Sequence, residues 1–442
     1  MLRVVFVGAL LLAACGDDDD DGGGGGEDGA EEGIDPAAVV AANSEVGEAD
    51  PTCEGTSDGV LRIGSLLPAT GDLAVLGPAM FAAADLAVAD VNGAGGVNGQ
   101  PVGYERGDEG GSSAEAVVEG HLDARADAIL GAASTTVSEE QFDTIIDACR
   151  VMFSPANTGA NFTIAEDDGL YFRTAPSDLL QGQVLAQIAV EDGITSAAIL
   201  ARDDGYGESL SFFVREQLEA NGIDVAPEHF YDPDPDDPAA EVQPVVEADP
   251  EGVFVIGYEE TSGLIQALRD QGFTPDAKRI YLADGNTTNT VGAEFAETGA
   301  LAGIRGTYPA AQVAAPFTER LTTQDPAIVD VVYAPETYDA VVITALAAVA
   351  AGTDQPDAVA REINGVTREG TACTSFAQCR DLLDAGTDID YNGPSGLLDF
   401  ALPGEPTTAT IAILSFGANN RIDTAATQYR NVAIGETAAA SG

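Results

Sequence analysis

Five short clusters of Ser, Thr, Asn, Asp and Gly are the residues of this 442-residue chain best suited to chemistry. They are Thr70-Gly71-Asp72, Ser134-Thr135-Thr136, Asn157-Thr158-Gly159, Asp204-Gly205-Tyr206-Gly207 and Asp284-Gly285-Asn286. Each follows an apolar run and opens a helical pattern. Unpaired amides and the helix dipole at such a start favour a carboxylate, and flanking hydroxyls add hydrogen bonds. Taken singly, each cluster reads first as a helix cap, since these residue types are the preferred N-caps. Recurrence at five successive strand ends points instead to reversible binding of a small polar molecule.

Covalent chemistry is poorly provided for, and the chain reads as a binder and not an enzyme. Gly55-Thr56-Ser57-Asp58-Gly59 fits G-x-S-x-G but precedes the first strand, where a nucleophile elbow would link strand to helix. Lys278 follows an alanine, so no P-loop exists, and there is no HExxH. The only histidines, His121 and His229, fall on a helix face and a strand end with no triad partners in view. Asp388-x-Asp390-x-Asn392-Gly393, with Asp399 in the twelfth position, has the spacing of a calcium loop. No helix pair flanks it and the LLDFA that follows reads as strand, so no metal is assigned. No cofactor motif is present.

The elements that must position these clusters alternate. From Val60 onward, short β-rich runs (VLRIGSLLP, AILGAAS, VMFSPAN) are separated by amphipathic stretches near Gly77–Val91, Ala114–Arg125 and Val137–Cys149. The pattern restarts at Tyr171 with helices near Asp178–Glu191 and Glu208–Asn221 and the strands SAAILARDD, DVAPEHFY, GVFVIGY and RIYLADG. Such spacing means βαβ units and a parallel sheet. Two runs of similar size predict two α/β lobes. The tail, with IRGTYPA, an apolar helix near Glu336–Ala351 and two last strands SGLLDFA and TATIAILSF, is too small for a third domain and completes both. The chain then crosses between lobes several times, which makes a hinge with a cleft beside it.

The chain opens MLRVVFVGALLLAACG: a basic residue, an apolar run too short for the roughly 20 residues of a membrane span, and small residues before a cysteine. Leu12-Ala13-Ala14-Cys15 resembles the bacterial lipobox, so residues 1–15 are expected to be a lipoprotein signal with Cys15 lipidated. The acidic, glycine-rich stretch that follows, residues 16–57, is expected to be a solvated tether. Lysine and arginine number 18 against 74 acidic residues, a net charge of −56 that repels nucleic acid. Four cysteines remain in an exported chain, and an even number there suggests disulfides. Cys373–Cys379 would clip a local loop, and Cys53–Cys149 would tie the N-terminal extension to the first lobe.

Seven stretches together carry a resemblance: IGSLLPATGDLAVLG, AVADVNGAGGVNGQPV, ILGAASTTVS, FSPANTGANFT, YFRTAPSDLLQG, DDGYGESL and YNGPSGLLDF. In order along the chain, they resemble the branched-chain amino-acid binding protein family of ABC transporters. That resemblance implies the type I periplasmic-binding fold, α/β, with two doubly wound Rossmann-like lobes (58–176 with 308–396, and 177–307 with 397–435). It implies a monomer that captures an amino acid or related amide and docks on a membrane permease, outside the cytoplasm. A receptor of the same fold is the alternative, a secreted hydrolase the more distant one. By the same resemblance Ser134, Thr135, Ala156, Asn157 and Thr158 meet the ligand's carboxylate. Tyr206 and Tyr258 cover it, Asp284 pairs with its ammonium group, and Tyr333 borders the side-chain pocket. Leu76 stands where some members carry an aromatic residue.

Overall fold

The computed structural model describes residues 34–110, 114–275 and 277–435. The expected signal, Cys15 and the first part of the tether lie outside the described residues.

The first half of the fold is built from helix α1 (Pro36–Ala42), then β1 (Arg62–Leu66), α2 (Gly77–Gly93), β2 (Gly103–Glu105), α3 (Ala114–Asp123), β3 (Ala128–Gly131), α4 (Thr135–Asp147), β4 (Val151–Ser154) and β5 (Tyr171–Arg173). Its five strands are all parallel, in the order β2-β1-β3-β4-β5. The second half begins with α5 (Asp178–Asp192), β6 (Ser196–Arg202), α6 (Gly205–Ala220) and β7 (Asp224–Tyr231). It continues through α7 (Pro238–Glu241), α8 (Gln243–Ala248), β8 (Gly252–Ile256), α9 (Thr261–Asp270), β9 (Arg279–Leu282), α10 (Asn289–Ala293) and β10 (Arg305–Pro309).

The chain then returns to the first sheet. Helices α11 (Ala315–Gln324), α12 (Ala334–Ala351) and α13 (Pro356–Ile363) lead to a two-stranded ladder, β11 (Thr371–Cys373) and β12 (Ile389–Tyr391), around α14 (Phe376–Asp384). Among the described residues α12 alone is long and apolar enough to cross a membrane, but it packs on α2 and α13 as a buried core helix. The last strands, β13 (Thr408–Ser415) and β14 (Gln428–Ala433), rejoin the second sheet antiparallel to β10 and to each other, giving β14-β13-β10-β9-β8-β6-β7. Central strands such as β8, GVFVI, are buried along their whole length, as a sheet covered by helices on both faces requires.

Both expected disulfides form, with Cα–Cα distances of 5.9 Å for Cys53–Cys149 and 5.4 Å for Cys373–Cys379. Two expectations need correction. The extension is a packed segment, not tether, from Ile34 to Ser57: Val39 and Asn43 are buried, and Ser57 hydrogen-bonds Asp354. Its polar composition hides this, because the segment is held mainly by hydrogen bonds and by a few apolar contacts. Ser395–Ala401 is not a strand but an extended crossing with one bridge at Phe400. Prolines at 394, 403 and 406 flank it and remove amide donors that a ladder would need. The final strand is β14, whose exposed edge position leaves no apolar signature in QYRNVA.

Candidate binding cleft

Parallel strands aim their C-terminal ends at one sheet edge, and here both sheets do so toward a shared cleft. On the first-sheet side, the turn after β3 reaches Ser134, which caps α4 by accepting from the Val137 amide, and sets Thr135 in the first turn. After β4, Ser154 Oγ accepts from the Asn157 amide at 2.9 Å and folds the Ala156–Thr158 loop back. On the second-sheet side Tyr206 lies in the first turn of α6, Tyr258 follows β8 and Asp284 follows β9. Tyr333 sits immediately before α12 at φ +58°, a left-handed conformation that costs a bulky residue energy and persists only where surroundings impose it.

These residues meet. Thr135, Ala156, Thr158 and, at the start of α12, Tyr333 from the first-sheet side, with Tyr206, Tyr258 and Asp284 from the other, line one small cavity, closed further by Leu73, Leu76, Ala133 and Gly285. Its volume is about 10 Å³, room for about one water. Asp284, 4 % exposed, is the polar centre. Its Oδ1 accepts from Tyr206 OH at 2.6 Å and Gln181 Nε2 at 2.8 Å, and its Oδ2 accepts from Tyr333 OH at 2.6 Å. Burial, reinforced by the Asp284 carboxylate, pushes both phenols well above their ordinary range, so they remain donors. Tyr206 stacks on Tyr258 at 5.1 Å, and Gly285 permits it: a Cβ there would lie 2.6 Å from the Tyr258 ring.

Two expected residues take other places. Asn157 is fully buried behind the loop, where Nδ2 donates to Tyr171 OH and Oδ1 accepts from Thr135 Oγ1 and the Gly159 amide. Ser134 lines a neighbouring outer chamber of about 390 Å³ at the cleft mouth. The amides of Ala133 and Ser134 donate to Glu109, at 2.6 and 3.2 Å, so the protein's own carboxyl group occupies that part of the expected nest. Asn286 braces the loop after β9 by donating to Val255 O. His121 is buried against Ser65 O, and His229 pairs with Glu241. The Asp388–Asn392 run is strand and its flanks, and the described residues hold no group of three or more His, Cys, Asp or Glu arranged for a metal.

Sequence reading missed Gln181, Glu109 and Arg202. Arg202 binds Asp204 at 2.6 Å and Glu260 at 3.1 Å, crosses the cleft to Asp72 at 2.9 Å, and lies 4.1 Å over the Tyr258 ring. Its signal was scarcity: a basic residue at a strand end in so acidic a chain must be held for a reason.

Several buried acids give the fold a pH response. Burial pushes the carboxyls of Glu109, Asp178 and Glu336 up to about 8, whereas in the unfolded chain they titrate near 4. Between those values the native state holds protons that the unfolded state has released, so stability falls as pH rises through this window. Thermal unfolding is therefore expected at a higher midpoint near about pH 6 than about pH 8. A midpoint that climbs across that interval would contradict it.

The family profile described as periplasmic binding protein matches residues 60–381. A chemotactic signal transduction system substrate-binding protein, BasB, of Halobacterium salinarum is 27% identical over 379 residues, covering 79% of this chain and 85% of that protein. Among solved structures, the leucine binding protein LivK of Thermotoga maritima superposes with a TM-score of 0.69 at 19% identity, covering 85% of this chain and 99% of that one. The branched-chain amino acid transporter substrate binding protein LivJ of Streptococcus pneumoniae, in complex with isoleucine, gives 0.68 at 17%, covering 84% and 100%. With its two sheets joined by repeated crossings and its lining drawn from both, the chain belongs to the periplasmic binding protein family.

Proposed function

We propose that this protein captures an α-amino acid or a related small amide outside the cytoplasm, by closing two lobes (58–176 with 308–396, and 177–307 with 397–435) on it. The observation that supports this best is the convergence on Asp284. A carboxylate already oriented by two tyrosines and a glutamine, and shielded from water, is suited to an ammonium ion, whose charge would otherwise go unpaired. The ligand's carboxylate faces Thr158 and Thr135 across the cavity, with Ala156 alongside. Tyr206 and Tyr258 cover the ligand and Tyr333 borders its side chain. The cycle needs no bond chemistry in this chain.

In this reading Cys15 carries a lipid that holds the protein, as a monomer, at the outer face of the membrane, and the closed form docks on an ABC permease. A second reading sends the closed form to a membrane sensor, and the similarity to a chemotactic substrate-binding protein favours keeping it. Pull-down from membranes with the loaded protein separates the two, since a permease and a receptor are different partners. The binding step itself is tested by thermal shift against the amino acids and small amides. One or a few should raise the unfolding midpoint by mass action. A midpoint unmoved by every one of them would contradict the proposal.

A further inference from the structure

The packed N-terminal segment has an arrangement that the binding reading does not require. Its C-terminal part is fastened to the first-sheet half at many points. Cys53 is disulfide-bonded to Cys149, Thr52 N donates to Asp168 at 3.0 Å, and Gly55 N donates to Asp357 at 2.8 Å. Arg361 donates to Pro51 O at 2.7 Å, Asn364 to Gly47 O at 3.0 Å, and Arg368 pairs with Glu48 at 2.8 Å. The other end, helix α1, reaches across the seam. Val39, fully buried, packs in one apolar cluster with Ala160 from the first half and with Leu179 of α5 and Phe213 of α6 from the second. At the same seam the Ala160 amide donates to Ser209 Oγ of α6 at 3.0 Å. Asn43, which ends α1, donates to Glu405 Oε1 at 2.6 Å, in the crossing that leads back to the second sheet.

We propose that α1 is a clasp: a helix anchored to one lobe that grips the other and so favours the closed arrangement of the cleft. When the halves part, Ala160 separates from Leu179 and Phe213, and α1 can keep only one set of contacts. Its grip is small, Val39 with the partly buried Ile34 and Val40 of the same segment, which suits a contact that must release at each opening. The clasp assumes the lobe movement of the binding proposal, but its own evidence lies outside the ligand cavity. Any equilibrium shift toward the open form lowers apparent affinity by the fraction of closed-competent protein lost.

The test uses the full chain with Val39→Asp, the milder Val39→Ala, and Val46→Asp as control, because Val46 lies in the same segment and is 71% exposed. Small-angle scattering without ligand should show a larger radius of gyration for V39D than for wild type, with V39A between them and V46D unchanged. Calorimetry with L-leucine should show affinity reduced about fivefold in V39D, through the closed fraction alone. Equal radii and equal leucine affinity in V39A, V39D and wild type would overturn the clasp while leaving capture intact. If wild type ignores leucine, the scattering series alone decides. A V39D radius larger than wild type that no amino acid reduces would count against lobe closure itself, a separate failure.

Discussion

Replacing Asp284 by alanine is expected to weaken an α-amino-acid ligand by about 1.5–3 kcal/mol, roughly ten- to 150-fold in Kd, the scale of a lost charged hydrogen bond. The effect should be large because no other residue lining the cavity carries a negative charge: on the second-sheet side the remaining lining is Tyr206, Tyr258 and Gly285, and Tyr333 faces them from the start of α12. Alanine also leaves Tyr206, Tyr333 and Gln181 without their acceptor, so Asp284→Asn is the companion, keeping an oxygen for those donors while removing the charge. Calorimetry on both variants separates the two contributions. If asparagine restores wild-type affinity, the carboxylate acts as a brace for the tyrosines and not as the ammonium partner.

The second large effect concerns the hinge. Arg173 and Glu405 form an ion pair that is essentially fully buried, where the crossing after β5 runs beside the crossing before β13. Arg173 Nε donates to Glu405 Oε2 at 2.6 Å, and Nη1 donates to Gly159 O at 2.7 Å, directly behind the Ala156–Thr158 loop. Two charges taken out of water gain little net stability from each other, but stranding one of them is costly. Glu405→Ala is therefore expected to lower unfolding stability by about 3–5 kcal/mol, read from urea denaturation. Against a typical total of about 5–15 kcal/mol this threatens folding itself. The double replacement Arg173→Met with Glu405→Leu should recover most of that loss, since it removes both charges together. A single variant as stable as wild type would show that its remaining acceptors, Gly159 O at 2.7 Å and Thr163 Oγ1 at 3.0 Å, suffice for Arg173.

The sequence revealed the binding cleft better than the machinery around it. Clusters such as Ser134-Thr135 and Asp284-Gly285 were legible because a parallel sheet brings every strand's C-terminal end to one edge, whatever the distances along the chain. Thr135 and Asp284 belong to different sheets, however, and their pairing across the cleft rests on the family resemblance. Gln181 was not legible, since a glutamine one turn into an amphipathic helix looks like solvated surface, and only the close approach of β9 makes it a ligand of Asp284. Glu109 resembled any loop acid in a chain with 74 acidic residues, yet it is the group that fills the Ala133 and Ser134 amides. The extension misled most. Its acidic, polar character predicted a tether, and the outcome turned on Val39, Asn43 and a disulfide whose effect depends on where they land in three dimensions.

The cavity has an acid on one wall and hydroxyls on the other, so both charged ends of the proposed ligand should matter. The most direct measurement is calorimetry with the best amino acid from the thermal screen and its two half-molecules, for leucine the acid 4-methylpentanoate and the amine 3-methylbutylamine. The complete amino acid should bind, and each half at least about tenfold more weakly, the order expected for one lost charged hydrogen bond. A 4-methylpentanoate affinity equal to that of leucine would mean that Asp284 meets no ammonium group and would contradict the account.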